Sequence, residues 1–353
     1  MKDYSYFLNL LESDSFEKIL NSENGLKFFK VYSISRQPII KEFLKSQKMT
    51  FSRPLVENCN VVFSKIDEKT IDSFLQSQYN LKMKNFDKNQ ILSELFCLQS
   101  FNWGGIYQNA LEKMIIDNYV KKIQSYEILN QKIQGELSEK MGDYVRSSWY
   151  NHWSTILIEN IFKKNSNVIP SIGDKGKLDF FWKNIPFDLK VTYFPAGLMH
   201  EIRREKKLPS ELSFLKTSTK NNDIVFDTDK TDRELFTELI TKFRESINHK
   251  SVYEELIKER SKIMRDIQEK PIVLAKWLYE NQGERRYDAG YRFFVILMDD
   301  MIEESWKLKR NMELLTKNIN DCLNKDPVIL DIKFKWKNKE INTKCVILFI
   351  TKS

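Results

Sequence analysis

Residues 177–192, KLDFFWKNIPFDLKVT, constrain the fold of this chain more than any other stretch. Two apolar runs flank a Lys183–Asn184 pair, the pattern of two strands joined by a tight turn. Phe187, Leu189 and Val191 alternate with Asp188 and Lys190, so a period of two sends the apolar side chains to one face and the acid and lysine to the other. Folding the segment back at Lys183–Asn184 sets Asp179 opposite Asp188, each the fifth residue outward from the centre of the turn. Facing Cβ atoms in such a pair lie roughly 4.5–5.5 Å apart. At an effective dielectric of about 20, two carboxylates at that separation repel by roughly 3 kcal/mol. A sheet carrying that repulsion calls for a cation between the acids. Oxygen ligands on a rigid strand pair suit Mg²⁺, with Mn²⁺ as a substitute, and the adjacent lysine suits phosphate binding or water activation.

Composition sets the frame around that hairpin. The chain has 353 residues, enough for about two domains or for one domain with large insertions. Charged residues make up 30% and hydrophobic ones 41%, a mixture that folds rather than one that stays disordered. Glycine (10) and proline (8) are both scarce, so helices are expected to dominate. The net charge of +8 fits a polyanionic partner, although a coding bias toward Lys, Asn and Ile raises the lysine count by itself. Cys59, Cys97, Cys322 and Cys345 are scattered without CxxC spacing, which disfavours structural zinc or a disulfide framework and suits a reducing cytosol. The first twenty residues carry Asp3, Glu12 and Asp14 and no uninterrupted apolar core, so no signal peptide is expected there. No apolar run is long enough to cross a bilayer, and a cytoplasmic protein is expected.

Along the chain, residues 1–135 read as a mostly helical region with some extended pieces. Helical spacing covers 15–29, 38–47, 70–79 and 89–98, and the short apolar run at 60–64 reads as a strand. A long amphipathic helix is expected over 107–133, and a second over 144–164 with Val145, Trp149, Trp153, Ile156, Leu157 and Ile161 as its apolar face. Glu159, His152 and Lys163 lie on the flank of that face. A short strand at 167–170 and a turn with Gly173 and Gly176 precede the hairpin. A polar, basic segment over 201–232 leads into helices at 233–247, 253–268 and 272–280. Residues 291–298, YRFFVILM, give the strongest buried-strand pattern of the chain, followed by a helix at 305–323 and a final hairpin of 328–336 with 341–350.

Acid-x-Lys triplets recur in so charged a chain, at Asp67–Lys69, Glu205–Lys207 and Asp331–Lys333 as well as Asp188–Lys190. The first two lie in polar surroundings outside strands. Asp331 and Lys333 lie on a strand, but the acid at the right distance upstream, Asp321, falls in a helix, so those two residues read as a solvated face. Only the 177–192 segment combines two apolar strands, a register that pairs two aspartates, a glycine-containing turn and an upstream amphipathic helix carrying Glu159. Over residues 149–192 it resembles the PD-(D/E)xK nuclease superfamily, with Asp179 as the first acid and Asp188-x-Lys190 as the second acid and lysine. Leu178 stands where proline is usual. The length, basic charge and large flanking regions look most like a type II restriction endonuclease.

The resemblance implies an α/β fold: a restriction-endonuclease-like core, with a mixed central sheet flanked by helices, and a mostly helical N-terminal region. Residues 1–135 would serve DNA recognition or dimerisation, and 136–353 would form the nuclease core with a helical insertion at 200–290. The core order would be the 144–164 helix, three strands, a helical crossover and the 291–298 strand. Asp179, Asp188 and the Leu189 carbonyl would hold Mg²⁺, and Lys190 would orient or help deprotonate the attacking water. Glu159 either completes the metal site, binds its water shell, or is an ordinary helix-edge carboxylate. The resemblance further implies double-stranded DNA as substrate, a homodimer with one active site per strand, and a separate DNA methyltransferase in the same system. Two rivals stand beside this reading: a structure-specific repair, junction or transposon-end nuclease, and a basic DNA-binding protein without activity.

The remaining candidates are weaker. His152, His200 and His249 form no pair at metal-ligand spacing. Asp174, Asp299 and Asp300 read as turn or cap residues. The basic stretches 203–207 and 282–286 are placed to touch a DNA backbone or simply to be solvated loops. There is no phosphate-binding GxxxxGK[ST] loop and no glycine-rich methyl-donor site, so neither ATP-driven translocation nor methyl transfer is encoded in this sequence.

Overall fold

In the computed structural model the described residues are 2–13, 16–102, 111–173, 178–222, 224–227, 229–281, 290–299, 301, 305–336 and 339–352. Among them a mixed six-stranded sheet runs β1-β2-β3-β4-β6-β5. Its strands are β1 (Val168–Pro170), β2 (Phe180–Trp182), β3 (Ile185–Tyr193), β4 (Tyr291–Met298), β5 (Leu330–Trp336) and β6 (Lys339–Thr351). β1, β2 and β3 pair antiparallel, β3–β4 and β4–β6 pair parallel, and β5 returns antiparallel on β6. The fold class is therefore α/β with a mixed central sheet, as expected.

The sequence explains this order locally. Lys183 and Asn184 both adopt positive φ, 50° and 63°, as a two-residue hairpin with the right-handed strand twist requires. That turn fixes the register Trp182↔Ile185 and Phe180↔Phe187. All eight residues of β4 are buried, the signature of a parallel strand covered on both faces. Pro170 lacks a donor and ends β1 at the sheet's rim.

Helices cover both faces. The N-terminal helices are α1 (Tyr4–Glu12), α2 (Phe16–Leu20), α3 (Gly25–Ser33), α4 (Gln37–Ser46), α5 (Leu55–Lys65), α6 (Glu68–Met83) and α7 (Lys88–Leu95), followed by α8 (Leu111–Ile115), α9 (Tyr126–Lys132) and α10 (Ser138–Lys164). Residues 60–64, expected as a strand, lie inside α5. Their apolar run is too short to separate strand from helix, and Asn58, Cys59, Val62 and Phe63 bury one helical face. The continuous helix expected over 107–133 is interrupted: α8 passes into a π-turn at Ile116–Val120, and the chain restarts as α9 (residues 107–110 lie outside the described set).

The helices over residues 4–83 share one core with the sheet. Phe7, Phe28, Phe43 and Leu75 belong to the same apolar cluster as Phe180, Phe187, Phe293 and Val346. Packing is thus continuous between residues 4–75 and the sheet. Gly173 makes part of this contact possible, since a Cβ there would lie 1.9 Å from the Ser33 carbonyl oxygen.

The β3–β4 crossover carries α11 (Ala196–Glu205), α12 (Glu211–Asn221), α13 (Asp232–Glu245), α14 (Lys250–Glu269) and α15 (Pro271–Asn281). The polar, basic segment 201–232 contains the end of α11 and all of α12. Leu198, Ile263, Leu274 and Leu278 pack with Phe294, Ile296 and Cys345 on the opposite sheet face. A satellite cluster of Leu215, Leu239, Phe243 and Leu256 joins α12, α13 and α14 away from the sheet. The expected 305–323 helix is a 3₁₀ turn (Ser305–Arg310) and then α16 (Met312–Leu323), restarted by Asn311, whose side chain accepts the Leu314 N–H. No helix among the described residues is long and apolar enough to cross a membrane.

Candidate metal centre and its lysines

Helix α10 meets the hairpin through aromatic packing. The Phe162 ring stacks on Phe180 at 5.1 Å and stands edge-on to Phe293 at 5.0 Å, and all three residues are fully buried. Such ring pairs add about 0.5–1.5 kcal/mol beyond area burial. Phe162 is one turn from Glu159, and Phe180 is next to Asp179, so this contact sets the helix carboxylate beside the hairpin carboxylate. The buried face of α10 is rotated from the expected stripe. Tyr150, Ser154, Leu157, Ile158 and Ile161 point inward, whereas Val145 is 57% and Trp149 37% exposed. At that level of the helix the covered side is the one carrying Ser147, bonded to the Asn102 carbonyl, and Tyr150, packed on Trp306.

Asp179 is held from both sides. Its N–H donates to the Phe187 carbonyl at 2.9 Å, and its carbonyl accepts the Ser171 N–H at 3.0 Å. The regular β2–β3 ladder ends at Phe180↔Phe187, one residue short of the pairing expected between Asp179 and Asp188. Beyond that point the Leu189 N–H is met by the Asp179 side chain, Oδ2 accepting at 2.7 Å. The N–H and C=O of one strand residue point to the same edge, so the Leu189 carbonyl also faces the Asp179 side of β3.

The electrostatics follow from this placement. Burial, the negative charges of Glu159 and Asp188, and the opposing effects of Lys163 and the Leu189 N–H together push the Asp179 pKa up to about 7, burial being the largest cause. Asp188 and Lys190 share the other face of β3, as the alternation requires, and Lys190 Nζ donates to Asp188 Oδ1. The Asp188 side chain is 14% exposed and that of Lys190 40%. On α10, Lys163 Nζ donates to Glu159 Oε2 at 2.9 Å. Lys163 also lies 5.6 Å from the centre of the Tyr79 ring, whose hydroxyl donates to Asn160 at 3.0 Å. Burial and the Glu159 charge raise the Tyr79 pKa, keeping that hydroxyl protonated.

Asp179, Asp188, Leu189, Lys190 and Glu159 therefore come together. Lys163 belongs with them, although the sequence marked it only as a flank residue; its i+4 spacing from Glu159 was the available signal. The donor set suits Mg²⁺, which takes one or two carboxylates and completes its shell with water and phosphate oxygens. Among the described residues no three His, Cys, Asp or Glu side chains are grouped to hold a metal by themselves.

The other candidates lie apart from the site. Arg203 is buried, donates to the Pro209 carbonyl and pairs with Glu259 at 2.9 Å, so it serves the α11–α14 contact and is not free to touch DNA. Asp299 is a buried turn residue accepting the Met301 N–H. Asp331 and Lys333 are exposed on β5. His152 is exposed, edge-on to Trp153. Asp174, Gly176, Asp300 and the 282–286 loop lie outside the described residues.

No known protein family matches the chain, and no curated protein or solved structure matches it either.

Proposed function

We propose that the chain is a Mg²⁺-dependent endonuclease that hydrolyses phosphodiester bonds of double-stranded DNA at a specific sequence, in the manner of a type II restriction enzyme. One observation carries the reading: the buried Asp179 carboxylate feels the negative charges of Glu159 and Asp188, with Lys190 ion-paired to Asp188 on the same strand. The surrounding order of helix, antiparallel strands, helical crossover and parallel strand supports it.

Asp179, Asp188 and the Leu189 carbonyl would hold the ion, with Glu159 at its water shell. Bound there, Mg²⁺ supplies Lewis-acid stabilisation of the charge that builds on the phosphate. Lys190, ion-paired to Asp188, would direct its N–H donors at the attacking water and the phosphate oxygens. Lys163 limits the negative potential that Glu159 adds at Asp179, so that Asp179 can ionise near neutral pH.

The test is incubation of the protein with unmethylated plasmid and phage DNA, in Mg²⁺ and in EDTA, beside the Asp188→Ala variant. Discrete Mg²⁺-dependent fragments, lost in Asp188→Ala while duplex binding persists, are the expected result. Normal cleavage by Asp188→Ala removes the site assignment. Cleavage confined to flaps, junctions or damaged sites replaces restriction with repair, and binding without cleavage under every condition leaves a DNA-binding protein.

A further inference from the structure

About 12 Å along α10 from Glu159, at eight residues and 1.5 Å each, stands Asn151. About 13 Å along β3 from Leu189, at four residues, stands Tyr193. Lys309, in the 3₁₀ turn after β4, joins them: its Nζ donates to Asn151 Oδ1 at 2.7 Å and lies 5.3 Å from the centre of the Tyr193 ring. Lys309 thus links the two elements, α10 and β3, that also carry Glu159 and Leu189.

The cluster around Lys309 is built of donors. Lys309 is 5% exposed and forms no ion pair with a carboxylate among the described residues. Burial alone draws its pKa down to about 8. With its oxygen turned to Lys309, Asn151 has its two amide N–H donors left to offer. The Tyr193 hydroxyl is buried and has no hydrogen-bond partner among the described residues. A lysine with only a neutral partner and an unmatched hydroxyl are both costly to bury, and a native fold retains such groups where a ligand completes them. An anion with several acceptor oxygens is the ligand class that matches donors of this kind. Nothing in the nuclease reading uses them.

We infer that Lys309, Tyr193 and Asn151 form a phosphate-binding subsite that takes a backbone phosphate of the strand being cut, about two to four nucleotides from the scissile bond at 3.4 Å of rise per nucleotide. The placement on the strand rests on the nuclease reading; the phosphate chemistry does not. Lys309 supplies the charge, and the Tyr193 hydroxyl and Asn151 amide fix the oxygens. These are positioning residues, because they hold the strand in register and stay clear of the reacting atoms.

Four proteins test this: wild type, Tyr193→Phe, Lys309→Met and Lys309→Arg, each as the full chain. The first measurement is the melting temperature with inorganic phosphate against chloride at matched ionic strength. The second is duplex binding over a salt series in EDTA, so that no cleavage intervenes. Phosphate is expected to raise the melting temperature of wild type and Lys309→Arg and to lose that effect in the other two. Tyr193→Phe is expected to melt no lower than wild type without phosphate, since it removes an unmatched hydroxyl. Its duplex affinity should fall severalfold, and Lys309→Met should lower the slope of log K against log salt by about one. An equal phosphate shift in all four proteins is general exclusion from the surface and overturns the subsite. A phosphate effect lost in the variants while duplex affinity and slope stay unchanged overturns the placement on the strand. If wild type binds no duplex but the variants still lose the phosphate effect, the subsite stands for free phosphate and the nuclease reading falls.

Discussion

The Asp179 carboxylate takes the place of a ladder carbonyl: its Oδ2 accepts the Leu189 main-chain N–H at 2.7 Å where β2 has stopped pairing with β3. One oxygen is thereby committed to the backbone; in the proposed site the other would meet the cation. A single hydrogen bond ties the orientation of the first acid to the strand that carries the second acid and the lysine.

That carboxylate has a pH signature. Its folded-state pKa is raised above the ordinary 3.8, so its cost to stability is fully present above about pH 7 and disappears as pH falls toward 3.8. Asp179→Asn keeps an acceptor for Leu189 and removes the charge. It is expected to stabilise the metal-free protein at pH 8 by on the order of 1–3 kcal/mol, with little gain at pH 4. Cleavage should be lost. Denaturant melts at the two pH values check this, and equal effects at both would remove the linkage. Mg²⁺ should raise the melting temperature of wild type at pH 8 and leave Asp179→Asn unmoved.

Lys163 bears on the same group from the helix side. Lys163→Met removes the partner of Glu159 and a positive charge that favours ionised Asp179. The acidic limb of the cleavage pH profile is expected to move to higher pH, with a higher Mg²⁺ requirement. A profile superimposable on wild type would show that Lys163 serves packing against Tyr79 alone.

Phe162 tests the mechanical link. It is fully buried between Phe180 and Phe293, and Phe162→Ala should cost about 3–5 kcal/mol. Phe162→Leu, which keeps most of the volume, should retain the fold yet lose activity as Glu159 and Lys163 shift against the hairpin. Full activity in Phe162→Leu would uncouple the aromatic contact from the site.

The hairpin turn offers a gain. Lys183 holds φ at 50°, a conformation that costs a non-glycine residue about 1–2 kcal/mol, and its 3.2 Å contact with exposed Asp326 returns little. Lys183→Gly should therefore stabilise by about 0.5–1 kcal/mol, after the extra entropy glycine brings to the unfolded chain. Chemical denaturation checks the sign.

These cases show what the sequence could convey. Residues 291–298 were legible to the residue because a strand covered on both faces must be apolar throughout. The 177–192 hairpin was legible in its turn and register, since Lys183–Asn184 sits symmetrically between two alternating runs. Residues 60–64 were misread because five residues contain too little period to separate 2.0 from 3.6. The apolar face of α10 was misplaced because periodicity reports which residues align, and the packing partners, such as Trp306 against Tyr150, decide which are covered. The i+4 spacing of Lys163 from Glu159 was legible, whereas its bearing on Asp179 arises from a contact between elements. The early end of the β2–β3 ladder, which frees Leu189 for the Asp179 side chain, is likewise a tertiary event.

The two rims of the sheet limit how copies of this chain can meet. β1 is three residues long and ends in proline, and β5 alternates buried Ile332 and Phe334 with exposed Asp331 and Lys333. A short, donor-poor strand at one border and charged side chains at the other give a neighbouring strand little to zip onto. Growth by continuous strand addition, the route to fibrils, is therefore disfavoured at both borders of the described sheet.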